Sequence, residues 1–236
     1  VSQDKVLVFI PVKNEEKTIK KIINDIADVH PSWDILVIDD ESTDDTIKEA
    51  SKTKARVVSL VMNTLGRSSV ITSFMIAYTG KYDYMVKIDG DGQQEVSVLW
   101  PLIQALKNNQ ADIVIGSRYV KKTPETDSFI KVIGRVTSSA LINFKTRGKS
   151  KITDCTSGVK AWNAKSIRLL SSMYFNDGMC HGTVYLQREI IFAARNGLRI
   201  IEIPAFYKKR EHGKSKSFNL INMLSYPFRF LFLLIS

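Results

Sequence analysis

Lys5-Val6-Leu7-Val8-Phe9-Ile10-Pro11-Val12 is an apolar run with almost no polar interruption, and it is rich in valine. A strand that faces water on one side alternates apolar and polar residues, whereas an unbroken run suits a strand covered on both faces. The run therefore predicts the first strand of a sheet sandwiched between helices. Downstream, Asn14 is placed to cap a helix in which Ile19, Ile22, Ile23 and Ile26 share one face. A second buried strand follows at Asp34–Asp39 (DILVID), and Ser42-Thr43-Asp44-Asp45 then has the Ser-x-x-Asp form of a capping box for a helix reaching about Ser51. The spacing continues with a strand over 56–61, a helix over 66–78, a strand over 84–88, a helix over 96–107 and a strand over 112–116. Another helix is marked by Phe129, Val132, Ile133, Val136 and Ala140. A helix over 183–195 stops at Asn196-Gly197, and a late strand spans 199–207.

Strand and helix alternating in this way predict an α/β fold with a mostly parallel sheet, helices on both faces, and ligands at the carboxyl ends of the strands. The polar clusters fall at those ends: Lys13-Asn14-Glu15 after the first strand, Asp39-Asp40-Glu41-Ser42 after the second, Asp89-Gly90-Asp91 after the fourth. In Lys87-Ile88-Asp89-Gly90-Asp91-Gly92-Gln93-Gln94, two carboxylates one residue apart invite a divalent cation. Oxygen ligands of this type suit Mg2+ or Mn2+ shared with a substrate phosphate, and Gly90 and Gly92 let the backbone come close to it. A calcium loop is excluded because Gln94 and Trp100 stand where it needs Gly and Glu. No Gly-x-Gly-x-x-Gly follows the first strand and no phosphate-loop signature occurs, so any nucleotide is held differently.

The chain has 236 residues, 44% of them hydrophobic, and a net charge of +10, which points to anionic partners such as nucleotides or a phospholipid surface. Nucleic acid is the poorest of these, since no recognised module appears. Cys155 and Cys180 fit neither a disulfide framework nor a zinc pattern. No basic-then-apolar leader opens the sequence, so export is not expected. The apolar, aromatic segment 218–236 is too short and broken to span a bilayer. It suits either an interfacial helix beside the basic loop 208–216 or a helix packed on the domain, and its ending predicts that the natural chain continues into membrane segments.

Six motifs occur in order: Pro11-Val12-Lys13-Asn14-Glu15-Glu16, Asp39-Asp40-x-Ser42-x-Asp44, Asp89-x-Asp91-Gly92-Gln93, Gly116-Ser117-Arg118, Asp154-x-x-Ser157-Gly158 and Arg210-x-x-Gly213-x-Ser215-Lys216. In these the sequence resembles family 2 glycosyltransferases of the GT-A fold, most of all the branch of dolichol-phosphate mannose synthases and polyprenyl-phosphate glycosyltransferases. The resemblance implies a single Rossmann-like GT-A domain over residues 1–217, with 218–236 as a membrane-proximal C-terminal segment. It implies a membrane-associated enzyme, its catalytic domain on the cytoplasmic face, that moves a sugar with inversion from a nucleoside diphosphate sugar donor to a polyprenyl phosphate acceptor.

By the same resemblance Pro11, Val12, Glu15, Asp39, Asp89, Gly90 and Lys216 bind the nucleotide. Asp89, Asp91 and Gln93 form the metal and diphosphate motif. Arg118, Arg135 (with Lys131 in reserve), Arg210 and Ser215 hold the acceptor phosphate and leaving diphosphate. Asp91 and Arg210 serve catalysis, and Asp154 is the base if the acceptor is instead a sugar hydroxyl. Ser68 and Val70 depart from the family's Gly-basic-Gly-x-Ala stretch. Two other functions stay open: extension of a glycan at a hydroxyl, and a non-catalytic nucleotide-sugar or membrane-surface binding module.

Overall fold

The structure, a computed structural model, describes residues 4–61, 66–121, 129–148, 150–176 and 184–210. Among these, seven strands form one sheet: β1 (Val6–Val12), β2 (Asp34–Asp39), β3 (Arg56–Ser59), β4 (Tyr84–Lys87), β5 (Ile113–Ser117), β6 (Lys160–Asn163) and β7 (Ile200–Pro204). Their order is β3-β2-β1-β4-β6-β5-β7. The helices are α1 (Ile19–Val29), α2 (Thr46–Ala50), α3 (Arg67–Thr79), α4 (Leu99–Lys107), α5 (Phe129–Lys145), α6 (Ala164–Asn176) and α7 (Tyr185–Arg195).

The two faces of β1 account for its unbroken apolar run. Leu7 and Phe9 enter a core with Phe74, Trp162, Leu170 and Ile190, under α3, α6 and α7. Val6, Val8, Ile10 and Val12 enter the opposite core with Ile19, Ile22, Ile23 and Ile26 of α1 and Leu99, Leu102 and Ile103 of α4. A strand serving two cores has no face left for polar residues.

β1 pairs in parallel with β2 and β4, β2 with β3, and β5 with β7. β6 runs antiparallel to both β4 and β5, with Met85 opposite Trp162 and Val114 opposite Ala161. The sheet is thus mostly parallel as expected, with one reversed strand inside it.

Three local expectations are corrected. Asn14 does not cap α1, which starts at Ile19 with Thr18 before it and no side-chain cap. Instead Asn14 has a positive φ of 52° and its Oδ1 accepts from the Thr43 backbone N–H at 2.7 Å. The capping box at Ser42 is not formed either: the Thr46 N–H goes to Asp44 Oδ1 at 3.0 Å, while the Ser42 hydroxyl accepts from the Asn14 N–H at 2.8 Å. Both loops spend their short polar side chains on each other, which ties the ends of β1 and β2 together. Finally, the helix expected over 96–107 begins as a 3-10 turn at Val96–Val98 before α4. The basic loop beyond Arg210 and the segment 218–236 lie outside the described residues.

Candidate active site

The parallel strands all end at one edge of the sheet. Because β6 is antiparallel it starts at that edge, so the loop before it brings Asp154, Thr156, Ser157 and Gly158 there from the opposite chain direction. The acidic turn after β4 and the segment after β7 meet the same place: Gln94 and Tyr207 form an antiparallel bridge, and the Lys208 N–H donates to Gln93 O at 2.7 Å.

Within the turn, Asp89 is fully engaged. Its Oδ1 accepts from Lys87 Nζ at 2.7 Å and its Oδ2 from Gln94 Nε2 at 3.0 Å, while its own N–H donates to Gln94 Oε1 at 3.2 Å. Burial opposes the Asp89 charge, but the Lys87 ammonium and these hydrogen bonds win and hold the carboxyl below the usual range. Lys87 is itself buried and pairs with Asp89, which raises its pKa despite desolvation. Gly158 permits this arrangement: a Cβ there would lie 1.9 Å from Asp89 Oδ2. Gly90 also has a packing role, since a Cβ there would meet Val12 Cγ1 at 2.6 Å; the turn packs directly on β1.

Asp91 is in the opposite condition. Burial first, and the Asp89 charge second, push its carboxyl above the usual range. Its Oδ1 accepts the Gln93 N–H at 3.1 Å, and Arg210 Nη2 approaches Oδ2 at 3.6 Å. Arg210 also pairs with Glu15, so one guanidinium joins the acidic turn to the loop after β1. Gln93 commits its Nε2 to Lys208 O at 3.1 Å.

On the β1–β2 side, Val12 is buried and Pro11 half-buried. Glu15 is buried beneath Arg210, and its N–H donates to Thr46 Oγ1 at 2.7 Å. Asp39 is 1% exposed at the end of β2. Its Oδ2 accepts the Ser42 N–H at 3.1 Å, whereas Oδ1 has no hydrogen-bond partner among the described residues. A buried carboxylate oxygen without a donor is costly unless a ligand supplies one, and this one ends a strand where ligands of such sheets bind. Asp40 instead serves the fold, accepting from the Gly66 N–H at 3.0 Å.

Arg118, following β5, is gripped by Asp154: Nε to Oδ2 and Nη2 to Oδ1, both 2.6 Å, with its backbone N–H on Oδ2 at 3.2 Å. Asp154 is fully buried, Thr156 Oγ1 takes a further bond from Nη2 at 3.0 Å, and the Tyr207 ring lies 4.7 Å from the guanidinium carbon. Burial works against the Arg118 charge, and Asp154 more than restores it. Burial pushes the Tyr207 hydroxyl up to about 12, and it sits 2.9 Å from Ser157 Oγ. Arg135 lies on α5 one turn before Ser139, whose hydroxyl donates to Thr153 O at 3.0 Å. Ser215 and Lys216, and with them His181, lie outside the described residues.

Lys87, Gln94, Tyr207 and Glu202, whose carboxylate accepts from the Thr153 and Asp154 N–H groups, are candidate-site residues to which the sequence reading gave no role, and Gly158 stood in a quoted motif without a role of its own. Lys87 and Glu202 sit inside strands, where a charge looks like the polar face of an edge, and Gln94 stood second to Gln93. The available signal was a lysine in a run otherwise apolar enough to be buried on both sides.

The donor set fits Mg2+ or Mn2+. Asp91 offers hard carboxylate oxygen, its charge is raised in energy by burial and by Asp89, and the positive group now beside it is a mobile-length arginine side chain. No group of three or more His, Cys, Asp or Glu side chains converges among the described residues.

Residues 7–163 match the family described as Glycosyl transferase family 2. Undecaprenyl-phosphate mannosyltransferase of Micrococcus luteus is 29% identical over 223 residues, covering 90% of this chain and 87% of that protein. UDP-N-acetylglucosamine–dolichyl-phosphate N-acetylglucosaminyltransferase of Methanococcus voltae is 27% identical, covering 97% and 95%. Among solved structures, glucosyl-3-phosphoglycerate synthase of Mycobacterium tuberculosis, in complex with Mn2+, UDP and phosphoglyceric acid, superposes with a TM-score of 0.72. It covers 99% of this chain and 78% of its own at 19% identity, a likeness that shows the GT-A fold.

Proposed function

Since the chain belongs to glycosyl transferase family 2, we propose that it transfers a sugar, with inversion, from a nucleoside diphosphate sugar to a polyprenyl phosphate. The two relatives described above carry different sugars in their names but share a lipid phosphate acceptor, which supports the acceptor class more than any one sugar.

The observation that carries this reading is the condition of Asp154. Both of its oxygens are taken up by the Arg118 guanidinium and the side chain is fully buried, so neither oxygen is placed to meet a sugar hydroxyl. A sugar hydroxyl needs a base. A phosphate monoester, with a second pKa of about 6, is largely ionised at neutral pH and needs none. It needs a rigid cation, and Arg118, clamped by Asp154 and stacked on Tyr207, is one.

In this reading Pro11, Val12, Glu15 and Asp39 receive the nucleoside, with Asp39 Oδ1 as acceptor. Asp89 and Gly90 shape the turn that faces the diphosphate. Asp91, with Asp89 and Gln93 around it, is the holder of Mg2+ or Mn2+, which when bound supplies Lewis-acid stabilisation of charge on the leaving diphosphate. Arg210 exchanges Glu15 and Asp91 for the diphosphate, while Arg118 and Arg135 orient the acceptor phosphate for attack at the anomeric carbon. Lys216 and Ser215 are assigned to the loop that closes over the donor. A lipid acceptor and a net charge of +10 support work at the cytoplasmic face of a membrane.

A panel of UDP and GDP sugars with short polyprenyl phosphates, in Mg2+ and in Mn2+, tests this directly. Sugar appearing on the lipid phosphate is the expected result. Transfer to saccharides alone would reject the acceptor, and no turnover or donor hydrolysis under any condition would favour a binding module.

A further inference from the structure

The inference begins at Glu202, in the middle of β7. Its carboxylate accepts the Thr153 N–H at 2.9 Å and 3.0 Å through its two oxygens, the Thr153 hydroxyl at 2.5 Å and the Asp154 N–H at 2.8 Å. All these partners are donors. Both oxygens are therefore used as acceptors, and the carboxylate form is the one that fits. Among the described residues Glu202 has no ion pair, and Asp154 adds a second negative charge nearby; burial first, and that charge last, raise its pKa. An arrangement that sets two carboxylates near each other works against the fold unless each is held for a purpose.

The geometry shows what is being held. β5 and β7 run side by side with Ile115 opposite Glu202 and Ser117 opposite Pro204, so Glu202 sits on the strand next to the one that leads into Arg118. From β7 it reaches the loop before β6 and fixes the backbone of Thr153 and Asp154. Asp154 then grips Arg118 through both oxygens. The Ser117 hydroxyl, 2.9 Å from that of Thr153, closes the ring back to β5. Arg118 is thus attached twice to the sheet: through its own strand, and through Glu202, Thr153 and Asp154.

We propose that Glu202 is a positioning residue that, through the Thr153–Asp154 backbone, sets the Asp154 carboxylate and so fixes the Arg118 guanidinium at the acceptor side of the site; its bearing on transfer rests on the acceptor reading of Arg118 given above. Glu202 touches no reacting atom. It determines where the arginine is, and its replacement by an amide, which must turn an NH2 toward at least one N–H donor, releases the clamp.

The test reads Arg118 itself. In the 15N-labelled protein the Arg118 Nε–Hε cross-peak is assigned by its loss in Arg118→Lys. In Glu202→Gln that peak is expected to move or broaden toward the position of solvent-exposed arginines while the far-ultraviolet spectrum and melting cooperativity persist. In the same variant the KM for a short polyprenyl phosphate rises about tenfold, as loss of one well-made charged contact does, with the donor KM unchanged. Glu202→Asp, which keeps the charge on a shorter arm, gives an intermediate effect. Should Glu202→Gln not fold, Thr153→Val removes the hydroxyl's contacts with Glu202 and Ser117, keeps the N–H arms, and is read by the same peak. An Arg118 peak unmoved in a folded Glu202→Gln or Thr153→Val protein overturns the proposal. A displaced peak with an unchanged acceptor KM upholds the positioning role and instead rejects the acceptor reading of Arg118.

Discussion

Asp91 bears a charge that its surroundings resist, and the resistance has a measurable sign. Its folded pKa lies above the unfolded value of 3.8 because of burial and of Asp89. Protonation therefore favours the folded state: its contribution is fully present below the unfolded value, is lost as pH rises through the folded value, and stays lost above it. Asp91→Asn removes that cost. At pH 7 without added metal, calorimetry should find its melting temperature equal to or above that of the parent, while the transfer rate falls at least about a hundredfold. A large loss of stability would contradict the account of Asp91 as a strained ligand. Gly158 predicts the reverse combination. In Gly158→Ala the new methyl collides with Asp89 Oδ2, which Gln94 and Lys87 hold from the other side. Stability should drop by about 1–3 kcal/mol, as in other overpacked sites, and activity should fall with it. Denaturant unfolding at matched pH checks the first part and the sugar-transfer assay the second.

Among the elements, β6 deserves the closest comparison with its sequence. β1 and β2 were legible because two-sided burial writes itself as an unbroken apolar run. β6 is only Lys160-Ala161-Trp162-Asn163, and its first residue is a lysine that ends up fully buried. Nothing local announces that this lysine pairs with Glu189 of α7, 3.4 Å away and also buried, or that Glu189 accepts from Trp162 Nε1 at 3.1 Å and the Tyr174 hydroxyl at 2.9 Å. The partners are far apart in the chain, so the pairing exists only in three dimensions. α6 was hidden for a related reason: Ser166 and Ser171 are buried in it, hydrogen-bonded to Asp112 O and Phe74 O, and they break the apolar spacing. Glu189→Ala should cost about 3–5 kcal/mol, the usual consequence of leaving a buried charge unpaired, and Lys160→Met in that background should recover part of it. Urea titration of the single and double variants gives the coupling directly.

For the whole molecule, the placement of the site was more legible than its internal wiring. Polar clusters at the carboxyl ends of buried strands marked the edge where the candidate site residues gather, and the order of six motifs pointed to the family that residues 7–163 match. The identity of hydrogen-bond partners was not available, because Arg118, Asp154 and the Glu202–Tyr207 stretch come from three separate parts of the chain. At this scale the net charge of +10 makes a prediction of its own. The protein should sediment with vesicles containing anionic phospholipid and be released as salt rises from about 0.1 M toward 1 M, where the screening length shrinks from about 10 Å to about 3 Å. Binding that ignores both lipid charge and salt would refute an electrostatic membrane partner.

The bridge between Gln94 and Tyr207, and the reach of Arg210 to Glu15 and Asp91, also bear on how the protein is made. The ribosome releases the chain from its first residue onward, so β1, β2 and the acidic turn emerge long before Tyr207 and Arg210. Until those two arrive, Arg118 has no ring beneath it and Asp91 no guanidinium beside it. The contacts that close this edge of the sheet therefore form only after one of the last described segments has left the tunnel.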